Sequence, residues 1–302
     1  MAGRVKILVT GASGFLGAYI VNYLRAAGSV IATLRSSSIP KSTEGVEWHY
    51  LDITNPLSVN KLFNEEQPDA VVHAAAMAAI SSCESDPESA ERINVQGTFN
   101  VAQAAMMVGA YLILLSTDLV FDGEAAPYDE NSKPSPLSVY GRTKLQSEAK
   151  CPRNSLILRL ALSFGKRIGA GTPTFFDEAI NRIGHKEEVF FFHDEWRTPI
   201  WAADVARHIP MILERKPEGI LHVGGPERMS RLEMGVRACR ILGMDSGPIK
   251  SVSRLDLPGP PRPRDLSLDN SRFKQLFPNF EFTSFEKAIE SSYKKSVPRQ
   301  SP

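Results

Sequence analysis

The segment Tyr140-Gly-Arg-Thr-Lys144 sets a phenol and an amine four residues apart. On a helix those positions share one face, so both groups point into the same space. An ammonium beside a phenol favours the phenolate and draws the tyrosine below its reference pKa of about 10. A tyrosine tuned in that way gives a proton to a ketone oxygen as hydride arrives, or takes one from an alcohol in reverse. The spacing alone equally fits an ordinary amphipathic helix face, so its meaning depends on its company. That company includes Leu115-Ser-Thr-Asp-Leu-Val-Phe-Asp-Gly123, where an apolar run ends in hydroxyls. At the carboxyl end of a strand, the hydroxyls of Ser116 and Thr117 would polarise and orient a carbonyl. The rival reading is a turn in which Ser, Thr and Asp bond their own backbone.

A third signal lies near the amino terminus, in Ile7-Leu-Val-Thr-Gly-Ala-Ser-Gly-Phe-Leu-Gly17. A buried strand that turns sharply into a helix leaves unpaired N–H groups at the helix start, and these attract an anion. Gly11 permits the turn, Gly14 lets backbone approach a pyrophosphate, and Gly17 lets the helix lie close on the strand. Ser13, Phe15 and Leu16 complete the expected cofactor-binding turn. Its spacing is G-x-x-G-x-x-G, not the more familiar G-x-G-x-x-G.

These pieces need a scaffold, and the chain supplies an alternating β and α pattern. Strands are expected near Val5–Val9, Val30–Leu34, Glu47–Leu51, Ala70–Ala76, Leu112–Leu115 and Ile157–Leu160. Helices fall near Pro56–Glu65, Glu88–Val108 and Tyr140–Ala149. This is an α/β, Rossmann-type, doubly wound parallel sheet, with its ligand crevice at the carboxyl ends of the strands. The division is expected near residue 163, with residues 1–163 as the dinucleotide domain. Residues 164–302 form a smaller substrate-side lobe, partly interleaved with the first. In that lobe helices are expected near Thr174–Ile183, Ala203–Leu213 and from Ser230. A strand is expected over Gly219–Val223, an N-cap at Asp269 leads a short helix to Phe277, and Lys294 to Pro302 form a frayed tail.

The second strand ends in Leu34-Arg35-Ser-Ser-Ser38, with no acid to bond a ribose 2′-hydroxyl. Arg35 suits a 2′-phosphate, since guanidinium binds phosphate in a fork, and this favours NADP(H) with NAD as the alternative. A solvated arginine is the plainer explanation. Ala74, Ala75 and Ala76 would leave room for a cofactor over the sheet edge, or would simply pack a helix.

Lys plus Arg number 35 and Asp plus Glu 34 in 302 residues, so no nucleic-acid partner is indicated. No run approaches the roughly 20 apolar residues of a membrane span, and the first strand leaves no room for a leader peptide. Cys83, Cys151 and Cys239 are far apart and odd in number, which reads as reduced thiols in a cytoplasmic protein. His73 reads as a core histidine. His185 and His193 lack carboxylate partners at ligand spacing, so no metal is expected. The Phe190-Phe191-Phe192 run reads as core.

Taken in order, the motifs resemble the extended short-chain dehydrogenase/reductase family. Its T-G-x-x-G-x-x-G matches Thr10 to Gly17, its Y-x-x-x-K matches Tyr140 and Lys144, and its active-site Ser/Thr falls on Thr117. Within it the chain is similar to the dTDP-4-dehydrorhamnose reductases, through Ser116 to Gly123, Tyr140 to Lys144, and Arg262-Pro263 through Leu268-Asp-Asn-Ser271. The resemblance implies a Rossmann domain, NADP(H) and a nucleotide-sugar substrate. Tyr140 would be the acid/base, Lys144 would hold the nicotinamide ribose and tune the tyrosine, and Thr117 would hold the substrate oxygen. Asp118 and Arg197 would face the substrate, and Asp52 and Ile53 would cover the adenine. Family likeness also implies a homodimer through the helices between the fourth and sixth strands. Leu119 stands where those reductases have an aromatic, and Leu162 where they have a tryptophan. Leu119 also replaces the glutamate that dehydratases need. The regulatory β subunit of methionine adenosyltransferase shares the same motifs, so a non-catalytic NADP-binding subunit of a partner enzyme stays open, as does an epimerase.

Overall fold

A computed structural model describes residues 5–26, 29–35, 39, 44–169 and 172–294. Chain order runs β1 (Lys6–Thr10), α1 (Phe15–Leu24), β2 (Ser29–Leu34), β3 (Val46–Tyr50), α2 (Pro56–Glu66), β4 (Ala70–His73), α3 (Ile80–Ser85) and α4 (Pro87–Glu91). A π-helical turn, Arg92–Gln96, leads without a break into α5 (Gly97–Met107), then β5 (Tyr111–Thr117), α6 (Val139–Glu148) and β6 (Leu156–Leu160). The second half holds β7 (Ser163–Phe164), α7 (Phe175–Gly184), β8 (Val189–Phe192), β9 (Trp196–Arg197), β10 (Ile200–Trp201) and α8 (Ala202–Arg215). It ends with β11 (Gly219–Val223), β12 (Met229–Ser230), α9 (Arg231–Leu242), β13 (Ile249–Val252), α10 (Ser271–Leu276) and α11 (Phe285–Tyr293).

Seven parallel strands form one sheet in the order β11-β6-β5-β4-β1-β2-β3. The order reverses between β1 and β4, where a doubly wound sheet opens its ligand crevice. Alternate residues of each strand feed opposite faces. On one face Ile7, Val9, Val72 and Leu158 pack with Ile20 and Leu24 of α1 and Val205 and Ile209 of α8. On the other, Leu8, Ile31, Val71 and Leu112 pack with Phe63 of α2 and Val101 and Ala105 of α5. A separate core joins Phe164, Phe176, Phe191, Met234, Phe285 and Ile289 in the second half. β11 nevertheless returns from that half to pair with β6.

Several expected boundaries move. β4 stops at His73, so Ala74–Ala76 leave the ladder and run over its end. The helix over 88–108 begins one residue earlier, at Pro87, and carries the π-turn. Asn270, not Asp269, occupies the N-cap of α10 with its side chain bonded to Gly224 and Gly225, while Asp269 Oδ1 accepts from the Ser271 amide at 2.6 Å. Ser36, Ser37 and Ser38 and residues 295–302 lie outside the described residues. Among the described residues no helix is long and apolar enough to cross a membrane.

Candidate active site

The glycine turn is shaped by contact. Gly11 has φ +64°, and a Cβ there would lie 2.7 Å from the backbone of Ala75. A Cβ on Gly17 would lie 2.2 Å from the Gly11 carbonyl oxygen, so α1 can approach only without one. Gly14 is the N-cap of α1, receives no side-chain cap, and no acid stands in the first turn. The helix-start N–H groups and the positive end of the dipole are therefore left to an anion.

A groove of about 500 Å³ opens from this turn along the strand ends. Gly11, Ser13, Gly14, Arg35, Asp52, Ile53, Ala74, Ala75 and Ala76 all line it. Phe15, Leu16 and Gly17 do not: Phe15 packs edge-on to Tyr19, Leu16 packs on the core, and Gly17 seats the helix. Asp86, Ser89, Arg92 and Ile93 form a wall that sequence reading did not supply. The Asp86-Pro87 pair, an N-cap followed by proline, was its one local signal. At the far end of the groove, Arg35 and Arg92 both act on Asp52, whose carboxyl is held low chiefly by hydrogen bonds from Thr54.

The π-turn carries a second unforeseen residue. Buried Asn94 accepts from Met77 N at 2.8 Å and donates to Met77 O and to Thr143 Oγ1 at 3.0 Å, while its own carbonyl accepts from Ser147 Oγ. It thus ties the loop after β4 to α6, and inserted π-turns recur at such functional positions.

Ser138 caps α6 by accepting from Gly141 N. The helix then presents Tyr140 and Lys144 one turn apart. Lys144 is only 2 % exposed, and among the described residues no hydrogen bond or ion pair holds its ammonium. Burial pulls it down to about 8, with the Glu148 carboxylate opposing. Tyr140 packs with Met77 against Cys83, Ala90 and Val139. Its phenol is pushed upward, first by burial and then by the Asp118 charge, with the Thr117 hydroxyl pulling the other way. The expected lowering by Lys144 is not what the protein alone shows: burial and a neighbouring carboxylate dominate.

Strand alternation sends the two hydroxyls of β5 apart. Ser116 Oγ turns inward to Glu148 Oε1 at 2.5 Å, so it does not face the crevice. Glu148 is in turn clamped by Arg159, from Nε at 3.0 Å and Nη2 at 2.7 Å, in a fully buried pair. Thr117 Oγ1 instead caps the short turn Asp118–Val120 and lies beside Asp118.

The structure brings Thr117, Asp118 and Arg197, the three residues expected to meet a substrate, together. Arg197 Nε lies 3.9 Å from Asp118 Oδ2, and Nη2 lies 3.9 Å from Glu195 Oε2. Asp118 Oδ2 is buried and accepts no hydrogen bond among the described residues. Burial raises its carboxyl, and Arg197 partly offsets this. Arg262 also reaches Glu195 at 3.1 Å. Arg231, pulled down to about 10 by burial, completes a group of three guanidiniums around two carboxylates. Leu119 and Leu162 are both partly buried in the packing around this region. Far from it, Glu47 and His49 of β3 and Glu66 of α2 lie close together, with Lys6 bonded to Glu66 at 2.7 Å.

Residues 5–297 match the model of the RmlD substrate binding domain. The chain belongs to the RmlD substrate-binding family. It is 32 % identical to dTDP-4-dehydrorhamnose reductase of Streptomyces griseus, over 90 % of this chain and 88 % of that protein. It is 29 % identical to methionine adenosyltransferase 2 subunit beta of Xenopus tropicalis, over 90 % of this chain and 82 % of that one. Among solved structures, this RmlD-family chain is similar to a dTDP-4-dehydrorhamnose reductase from Clostridium acetobutylicum, with TM-score 0.79, 32 % identity, and 95 % and 98 % of the two chains covered. It is also similar to a Bacillus anthracis dTDP-4-dehydrorhamnose reductase solved in complex with NADP, with TM-score 0.84, 25 % identity, and 97 % and 100 % covered.

Proposed function

We propose that the chain is an NADP(H)-dependent reductase of a nucleotide sugar, of the dTDP-4-dehydrorhamnose reductase type. The carrying observation is Lys144: a side chain only 2 % exposed whose ammonium has no hydrogen bond or ion pair among the described residues, one helical turn from Tyr140. An unpaired buried charge is costly, and a ribose hydroxyl pair would satisfy it. The glycine turn fits a dinucleotide, because α1 begins at Gly14 without a side-chain cap or an acid in its first turn, and Gly11, Ser13 and Gly14 line the groove. Gly11, Ser13 and Gly14 would hold the diphosphate, Arg35 the 2′-phosphate, and Asp52 and Ile53 the adenine. When bound, the nicotinamide supplies hydride. Tyr140 gives the proton to the substrate oxygen, Thr117 holds that oxygen, and Lys144 brings positive charge to the pair. Asp118 and Arg197 position the sugar nucleotide.

Residues 1–163 would carry the cofactor and 164–302 the substrate side, with β11 crossing back. A homodimer through α5 and α6 is consistent with the exposed Phe99 and Met106 of α5. A cytoplasmic location goes with this chemistry.

The test is NADPH consumption with a dTDP-4-keto sugar. Wild type should turn over, and Tyr140→Phe should lose roughly a hundredfold or more in kcat while keeping NADP+ affinity. Full activity in that variant would overturn the assignment. The second reading, a non-catalytic subunit, is favoured by the upward-shifted Tyr140 phenol and by the similarity to methionine adenosyltransferase 2 subunit beta. A stoichiometric partner in native co-purification, with no NADPH consumption, would decide for it.

A further inference from the structure

The first turn of α6 lacks the bonds that hold the rest of the helix, because helix-start N–H groups have no intrahelical acceptor. Tyr140 is its second residue. Ser138 answers the Gly141 amide, and α6 carries no acid in its first turn. The Val139 amide donates instead to Glu84 Oε1 of α3 at 2.7 Å. Glu84 therefore brings to this helix end both an acceptor and the negative charge that the dipole favours. Gly141 lies so close to the Leu119 carbonyl oxygen that a Cβ would collide with it, so the turn has little room to shift. α3 is itself anchored, since buried Cys83 donates from Sγ to the Met77 carbonyl at 3.2 Å and packs with Val139 and Tyr140. Asn94, bonded to the same Met77, holds Thr143 and Ser147 further along α6. Glu84 takes the turn that carries Tyr140.

We infer that Glu84 is a positioning residue, which fixes the first turn of α6 and so sets where the Tyr140 hydroxyl meets the substrate oxygen. This rests on the reductase reading above. Tyr140 directly follows Val139, so a shift of the Val139 amide moves the tyrosine with it. A displacement of about 1 Å in a reacting group can cost about a hundredfold in rate. Glu84 does not line the groove, so its removal should spare cofactor affinity.

The experiment measures kcat and KM with NADPH and a dTDP-4-keto sugar, and NADP+ affinity by calorimetry. It compares wild type, Glu84→Ala, Glu84→Asp and Glu84→Gln, each also in a Tyr140→Phe background. Glu84→Ala should lower kcat by roughly tenfold to a hundredfold, with KM and NADP+ affinity within about a factor of three. Glu84→Asp keeps the charge but is one methylene too short for Val139. It should fall with Glu84→Ala, and it replaces that variant if the alanine folds poorly. Glu84→Gln keeps an oxygen for the amide, in a bond about half as strong, and should recover most of the loss. In the Tyr140→Phe background Glu84→Ala should cost almost nothing further, because residues that act as a unit are not additive. Melting curves confine the kinetics to temperatures at which every variant is folded. Unchanged kcat in Glu84→Ala, a glutamine variant no faster than the alanine one, a loss in NADP+ affinity instead, or a loss that multiplies with that of Tyr140→Phe would overturn the inference. Each would leave the reductase reading standing. A wild type that consumes no NADPH would overturn both.

Discussion

The Ser116 hydroxyl lies 2.5 Å from Glu148 Oε1, and this contact fastens the strand that ends in Thr117 to the helix that carries Tyr140 and Lys144. Arg159 grips the same carboxylate from the neighbouring strand, directly opposite Ser116 in the ladder. Its guanidinium also lies over the Phe121 ring and within 3.4 Å of His222. The alignment of Thr117, Tyr140 and Lys144, the groups proposed to transfer the proton, is therefore set by a buried ion pair behind them.

Removing one member of that pair should be worse than removing both. Glu148→Gln leaves Arg159 charged and without its carboxylate, at about 3–5 kcal/mol of destabilisation. Glu148→Leu with Arg159→Met replaces the pair by apolar volume and should recover much of that loss. Urea unfolding of Glu148→Leu, Arg159→Met and their double variant, beside Glu148→Gln, measures the difference. Additive losses would show that the two side chains are not coupled.

Lys144 gives a prediction in which stability and activity move apart. Its folded value of about 8 lies below the ordinary value of 10.5. Between those values the unfolded chain holds the proton and the folded one does not, so stability rises with pH across the window. At pH 7 the buried ammonium costs up to about 3 kcal/mol, since every tenfold loss of proton affinity is worth about 1.4 kcal/mol. Lys144→Met should therefore raise the melting temperature at pH 7 and flatten its rise toward pH 10, while lowering kcat/KM sharply. In wild type, kcat/KM should fall above about pH 8 as the ammonium is lost. A less stable Lys144→Met would count against this.

The parts of this arrangement visible in the sequence are those set by local chemistry. Three glycines at fixed spacing, a hydroxyl at a strand end and an i, i+4 pair each carry their meaning within a few residues. What stayed hidden depends on distant segments. Asn94 looks like any mid-helix asparagine until the π-turn faces it to Met77 and Thr143. Arg231 and Arg262 meet Glu195 only through the packing of the second lobe. The expected effect of Lys144 on Tyr140 failed for the same reason, since spacing shows that two groups share a face but not how deeply they are buried.

Arg35 should decide between the two nicotinamide cofactors. It is exposed at the mouth of the groove and acts on Asp52 together with Arg92. Arg35→Ala should weaken NADP+ by roughly tenfold or more, the size of one charged hydrogen bond, and leave NAD+ within a factor of about two. Arg92→Ala should follow the same pattern more weakly if both cations share the 2′-phosphate. Parallel titration of the two dinucleotides reads out the ratio, and equal losses for both would remove Arg35 from the 2′-phosphate.

Acid should unfold this protein through its core histidines. His208 is fully buried among Phe273, Phe280 and Phe282, neither ring nitrogen has a hydrogen-bond partner among the described residues, and burial lowers it to about 3. His73, held between Thr10 and Thr98, is likewise brought to about 3, and His222 to about 4. Each is depressed below its ordinary 6.5, so above pH 6.5 it is neutral whether the chain is folded or not. As pH falls below that point the unfolded chain takes up protons that the folded core refuses, and stability declines down to about pH 3. His208→Phe keeps the aromatic packing without the titration, so its melting temperature should fall less than that of wild type between pH 6.5 and pH 4. His73 differs because its two hydroxyl partners would be orphaned, so His73→Phe should destabilise at every pH. Parallel melting curves for wild type and His208→Phe across that range would show that His208 does not drive the acid transition.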